Sequence, residues 1–229
     1  MGSEDLHHKR KPKKASELSR GVKNLKPLEK ILIVCEGSKT EPTYFQEMIH
    51  SLELNTASVF EVTGDCGPSP KTVVNYAKTK YKKQLAACAP YDRVYCVIDK
   101  DSHTDYQEAL NMIKTSTPKG VFVAINSIPC FEYWLVLHFE YNTKSYANLP
   151  KNSSGNQMLR ELRRFIPDYN KGCKGVYEKL KDRLDDAIRN SKKSLESAKS
   201  ADTDNPSSYI HTLIEKIIEI KSIVDKRRK

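Results

Sequence analysis

Residues 30–52 read KILIVCEGSKTEPTYFQEMIHSL, and two periods meet inside this stretch. Residues 31–35, ILIVC, are apolar without alternation, as in a strand covered on both faces. From residue 40 the step changes: Tyr44, Phe45, Met48, Ile49 and Leu52 recur at helical spacing, and Pro42 suits a first helical turn. A strand feeding a helix through the short loop EGSK is the opening of a βαβ unit. Further strand and helix pairs should then succeed it along the chain.

The pattern repeats. VFEVT (59–63) is a second strand candidate, GDCGPSP (64–70) a turn, and residues 71–85 place Val73, Ala77, Tyr81 and Leu85 on one helical stripe. RVYCVI (93–98) is a third strand, TDYQEALNMIK (104–114) a helix and GVFVAI (120–125) a fourth strand. The order βαβαβαβ favours an α/β fold, a parallel sheet flanked by helices. FEYWLVLHF (131–139) reads as a buried helix closing the unit, although its length also permits a strand.

Beyond residue 140 the strand signals stop. VYEKLKDRLDDAI (176–188) sets Val176, Leu180, Leu184 and Ile188 four apart on an amphipathic helix. Asn205 before Pro206 offers a start for a last helix whose buried face carries Leu213, Ile214, Ile217, Ile218 and Val224. The expected organisation is a basic arm over 1–28, an α/β domain over 29–140 and a helical extension over 141–229 packed on the sheet. The arm holds part of the +10 formal charge of the 229-residue chain, in KRKPKK and neighbouring lysines, and serves either as a solubilising tail or as a phosphate contact.

Six cysteines lack any C-x-x-C pair, which argues against a zinc site. Apolar surroundings for Cys35, Cys96 and Cys130, with no signal peptide, fit a reducing cytoplasm. No uninterrupted apolar run reaches the ~20 residues of a membrane span.

In an open parallel sheet, ligands bind outside the carboxyl ends of the strands. Glu36 directly follows the first strand, and Asp99 and Asp101, in VIDKD, follow the third. Glu41 stands in the first turn of the helix after Glu36. Each alone is also an ordinary loop residue; together they form an anionic cup that calls for a hard divalent cation, Mg²⁺ or Mn²⁺. Lys39 and Lys100 are candidate phosphate contacts, with a solvated counterion as the alternative for each. His103 is a loop histidine within reach in sequence, and Glu132 and His138 are accessory candidates on an apolar helix where core roles compete.

The runs VCEGSKTEPTYF (34–45), VIDKD (97–101), INSIPCFEYWLVLHFE (125–140) and NPSSYIHTLIEKI (205–217) together resemble the RloB-like proteins of bacterial phage-defence loci. That resemblance implies a Toprim-like domain in which Glu36, Asp99 and Asp101 build the catalytic centre. Glu41 is similar in position to a further acid of the OLD-family Toprim nucleases. DSHTD after the first aspartate departs from the glycine usual in Toprim topoisomerases, which argues against strand passage. The activity implied is metal-dependent hydrolysis of RNA, such as tRNA, or of DNA in abortive infection, controlled by an RloA-like ATPase partner. The chain gives no sequence signal for or against a homo-oligomer. Two other readings stay open: a phosphatase or receiver-like protein using an aspartyl phosphate, and a non-catalytic module that binds nucleic acid or a partner through Mg²⁺.

Overall fold

The computed structural model describes residues 27–55, 59–100 and 103–228. The expectation for the basic arm therefore lies outside the described residues, apart from Pro27 and Leu28, and so does Asp101.

In chain order the elements are β1 (Ile31–Cys35), α1 (Thr40–Ser51), β2 (Phe60–Thr63), α2 (Pro70–Ala86), β3 (Arg93–Asp99), α3 (Tyr106–Lys114), β4 (Phe122–Ile128) and α4 (Glu132–Val136). Then come α5 (Ser154–Arg163), α6 (Val176–Leu180), α7 (Leu184–Ser200), β5 (Ser207–Ser208) and α8 (Ile210–Arg228). One five-stranded sheet runs β2-β1-β3-β4-β5. The first four strands pair in parallel, and β5 pairs antiparallel with β4 through Ser127↔Ser208 and Ile128↔Ser207. The fold is thus the expected α/β class, with a mostly parallel sheet consistent with a Toprim-like domain.

The unalternating ILIVC is explained by what covers it. Ile31, Ile33 and Cys35 face a core shared with Tyr44, Phe45 and Met48 of α1, whereas Leu32 and Val34 face a second core with Val73, Val74 and Ala77 of α2 and Ala109 of α3. Successive strand residues point to opposite faces, so a strand buried on both must be apolar throughout. α2 begins where Ser69 Oγ accepts the Thr72 N–H and Thr72 Oγ1 accepts the Ser69 N–H at 3.2 Å, with Pro70 at the first helical position. Its apolar stripe ends at Tyr81, whose ring meets Phe122; Leu85, expected on it, is exposed.

The α1 side of the sheet is also covered by the chain beyond residue 140. Met158 of α5, Tyr177 and Leu180 of α6 and Leu213, Ile214 and Ile217 of α8 join the same core cluster as β1 and α1. Three expectations change here. The amphipathic run from Val176 is not one helix: a 3₁₀ turn, Lys181–Arg183, separates α6, which packs on α1, from α7, which packs on β5 and α4. Asn205 does not cap the last helix, because its side chain is committed to the Tyr146 backbone, accepting from N at 3.2 Å and donating to O at 2.7 Å. The chain instead forms β5 and enters α8 at Ile210, whose N–H is accepted by Ser208 Oγ at 3.3 Å. Ile218, placed on the buried face from spacing, is exposed. No helix among the described residues is long and apolar enough to cross a membrane.

Candidate active site

α1 crosses one face of the sheet and α2 and α3 cross the other, so the direction of winding reverses between β1 and β3. At such a switch point the loops leaving adjacent strand ends diverge and open a crevice. Glu36 and Asp99 stand at these two ends. The Glu36 N–H continues the ladder by donating to Val97 O at 3.0 Å, and its Oε2 accepts the Asp99 N–H at 3.0 Å. Asp99 Oδ2 in turn accepts the Phe131 N–H at 3.1 Å, which ties β3 to the entrance of α4. His103 Nε2 lies 2.9 Å from Glu36 Oε1, so the loop histidine does reach the site.

Two further carboxylates come from helices. Glu41 is 7% exposed in the first turn of α1, and Glu132 is 2% exposed at the first position of α4. Burial pushes the Glu41 carboxyl up to about 7, with the charges of Glu132 and Glu36 adding to the effect and Lys171 opposing it. Asp99 is raised well above the usual carboxylate range by burial and then by Glu41, Glu132 and Glu36. Each acid therefore feels the others. Room for Glu41 is made by Gly37: a methyl group at residue 37 would lie 2.0 Å from Glu41 Oε2. The loop after β2 packs as closely, since a methyl at Gly64 would meet Gly37 O at 2.3 Å.

One cation enters this cluster from the far part of the chain. Lys171 Nζ is 3.4 Å from Glu132 Oε1, and the Tyr169 hydroxyl donates to the same oxygen at 3.3 Å. Burial draws the Lys171 ammonium down, but Glu132, the Cys130 thiol and Asp99 outweigh it and the net shift is upward. The segment carrying these residues is bound to α1: Gly172 N–H donates to Thr40 Oγ1 at 2.9 Å, and Glu47 accepts from Gly175 and Tyr177 N–H at 2.5 and 3.1 Å. Between the Gly37–Glu41 loop, Glu132 and the Lys171–Gly172 turn lies a cleft of about 230 Å³. Lys39 lines it beside Gly172, and carries an exposed side chain.

Two expected contributors are placed elsewhere. Lys100 pairs with Asp204 at 2.5 Å rather than facing the cleft, because consecutive residues leaving a strand point to opposite sides. His138 is a core residue: Nδ1 is 3.0 Å from Trp134 O, Nε2 is 3.4 Å from the Tyr44 hydroxyl, and burial lowers its pKa to about 4. It lies beyond the end of α4, in the turn that follows Val136, and so does not share a helical face with Glu132. Lys171 and Tyr169 are not singled out by the sequence. Their only local signal is the turn composition of DYNKGCKG, residues 168–175, in which Gly172 and Gly175 adopt positive φ.

As they stand, no three acidic, histidine or cysteine side chains among the described residues are spaced to hold a metal ion. The donor chemistry nevertheless suits one. The cluster is built of hard oxygen ligands, and the carboxyls of Asp99 and Glu41, raised first by burial and then by their acidic neighbours, are ones whose charged form a divalent cation would favour.

No curated protein and no solved structure matches this chain. The family model described as RloB-like protein matches residues 31–217, from the first residue of β1 into α8 and across every carboxylate of the cluster, and the chain belongs to the RloB-like family.

Proposed function

We propose that this chain is a divalent-metal-dependent nuclease that hydrolyses nucleic-acid phosphodiesters, RNA such as tRNA or DNA, in anti-phage defence under the control of a partner ATPase. The observation that carries this reading is the meeting of Glu36, Glu41, Asp99 and Glu132 at the sheet's switch point, with Lys171 as their cation. Asp99, Glu41 and the neighbouring Asp101 are the residues to hold Mg²⁺ or Mn²⁺. When bound, such an ion neutralises phosphate charge and makes the phosphorus more electrophilic. The protein's own groups do the rest. Glu36, with Oε2 held by the Asp99 N–H and Oε1 2.9 Å from His103 Nε2, takes the proton of the attacking water, whose oxygen bonds to phosphorus as the P–O bond to the leaving sugar oxygen breaks and that oxygen takes a proton from solvent. Lys171, reaching into the cleft on a side chain 59% exposed, meets a phosphate oxygen while it stays beside the buried Glu132.

The aspartyl-phosphate alternative fits less well. One oxygen of Asp99 is engaged by the Phe131 N–H, and a phosphoryl group there would meet the charges of Glu36, Glu41 and Glu132. The test is incubation of the purified chain with tRNA, single-stranded DNA and duplex DNA, with Mn²⁺ or Mg²⁺ and with EDTA. Cleavage that requires the ion and is lost in Glu36→Gln and Asp99→Asn is the expected result. Binding without turnover, unchanged by these substitutions, would make the chain a binding module, and a stable phosphoprotein would make it a receiver.

A further inference from the structure

On the opposite face of the sheet, α2 and the turn after α3 enclose a second concavity of about 240 Å³. Its floor is Tyr81 and Phe122, whose rings meet edge to face at 5.3 Å. One wall carries Lys78 and Lys82, four residues apart on α2, and the other carries Thr115, Ser116 and Thr117. Lys114 and Lys119 flank the hydroxyl wall in sequence, and Lys119 Nζ donates to Lys114 O at 3.2 Å.

Of the lysines on the same helix that do not line the concavity, Lys71 and Lys80 are paired with carboxylates and Lys83 has no such partner among the described residues. Lys71 pairs with Glu108 at 2.6 Å and Lys80 with Glu61 at 2.7 Å. Lys78, Lys82, Lys114 and Lys119 have no carboxylate partner among the described residues. Like charges four apart on a helix repel, and an anion between Lys78 and Lys82 relieves that repulsion. We propose that this groove binds backbone phosphates of a nucleic acid at a distance from the scissile edge, an inference that rests on the nuclease reading above.

The placement suits a polymer. α2 starts beside the carboxyl end of β1, where Cys66 Sγ donates to Cys35 O at 3.0 Å. At 1.5 Å per residue, Lys78 and Lys82 lie about 12 and 18 Å along α2 from Pro70. A strand leaving the cleft passes several phosphates over that length. The concavity has room for a phosphate and its sugar but not for a helix of a protein partner, and lysines act on phosphate as point charges without reading sequence.

The experiment uses the full chain with Asp99→Asn, so that nucleic acid is bound and not cut. Fluorescence anisotropy with labelled single-stranded RNA and duplex DNA is followed through a salt titration, with and without Lys78→Ala/Lys82→Ala. The expected result is about tenfold weaker binding at low salt and a salt slope shallower by one to two ions, at unchanged thermal midpoint. Lys216→Ala/Lys221→Ala, which removes two lysines already paired with carboxylates, should stay within twofold. Equal affinity and equal slope in the Lys78/Lys82 variant overturn the proposal. So does loss of inorganic phosphate binding by calorimetry while nucleic-acid affinity is kept, which would make the groove a site for a free anion. If the Asp99→Asn parent binds no nucleic acid at all, the groove proposal falls together with the nuclease reading on which it rests, whereas binding that ignores the Lys78/Lys82 substitutions removes the groove alone.

Discussion

Gly37→Ala is the smallest change that probes how the acidic cluster is built. The added methyl would sit 2.0 Å from Glu41 Oε2 and 2.7 Å from its Cδ, well inside any tolerated contact. Glu41 is 7% exposed and tethered in the first turn of α1, so its carboxyl has little room to retreat. Residue 37 is not in the left-handed region, and alanine there brings no backbone strain. Overpacking of this kind costs about 1–3 kcal/mol, against a gain of about 0.4–1 kcal/mol from reduced freedom of the unfolded chain. The net expectation is a loss of about 1–2 kcal/mol. A double-mutant cycle isolates the cause. In a Glu41→Ala background the clashing atoms are gone, and Gly37→Ala should be neutral or mildly stabilising. In Glu41→Gln the shape remains and the charge is removed, so the cost should persist. Urea unfolding in EDTA at fixed pH gives all the corners of the cycle. Equal cost of Gly37→Ala in the wild-type and Glu41→Ala backgrounds would refute the argument that this glycine exists to admit that carboxylate.

Lys171→Ala should reduce turnover more than tenfold with Lys171→Arg recovering part of it, whereas Lys100→Ala, which breaks only the exposed pair with Asp204, should stay within twofold; cleavage kinetics of the chain with Mn²⁺ decide between them. His138 supplies a pH signature. Folded, its pKa is about 4 against an ordinary 6.5, so between these values the unfolded chain binds the proton that the folded chain refuses. Its contribution is complete above about pH 6.5 and falls as pH drops, by about 2 kcal/mol between about pH 7.5 and about pH 5. Glu41, whose carboxyl is raised, acts in the opposite direction over the same range, so the quantity to measure is the difference in unfolding free energy between wild type and His138→Gln at the two pH values. A difference that does not change with pH would show that His138 is not held neutral in the core. Ser191→Ala should cost about 1–3 kcal/mol, because Ser191 Oγ is fully buried between Ser208 O and His211 Nδ1, and chemical denaturation reads the loss.

How much of the fold is readable in the sequence depends on which interactions have a period. The parallel core is legible because covering both faces of β1 forces ILIVC to be apolar throughout, and because α1, α2 and α3 each announce one buried stripe. β5 is not: two serines paired with Ser127 and Ile128 have no room for a pattern, and what selects them is tertiary, including the Ser127–Ser208 hydroxyl contact at 3.1 Å. The end of α2 and the outer edge of α8 read as more buried than they are for a related reason. Spacing says which residues share a helical face, but not how far the sheet beneath it extends, so Leu85 and Ile218 keep the stripe and lose the cover.

The site divides along the same line. Glu36 and Asp99 can be paired from sequence because βα order alone sends the ends of parallel strands to one edge, and the reversal of winding between β1 and β3 makes that edge a crevice. Glu41 is legible from its place one turn into α1. Lys171 lies more than seventy residues beyond Asp99, in a turn where nothing repeats, and is brought in by hydrogen bonds that α1 makes through Thr40 and Glu47. Those two residues look like ordinary helix-surface polar groups in sequence. Their partners show that the helical extension does more than cover the sheet: it delivers Lys171 to the cluster. A segment that delivers charge to the site also offers a means of withdrawing it, so Glu47→Ala, which frees the Gly175 and Tyr177 N–H groups far from any reacting atom, should lower turnover through Lys171. The effect should be small when Lys171→Ala is already present. If Glu47→Ala and Lys171→Ala instead multiply as independent losses, the tie to α1 serves stability alone and the lysine finds its place without it.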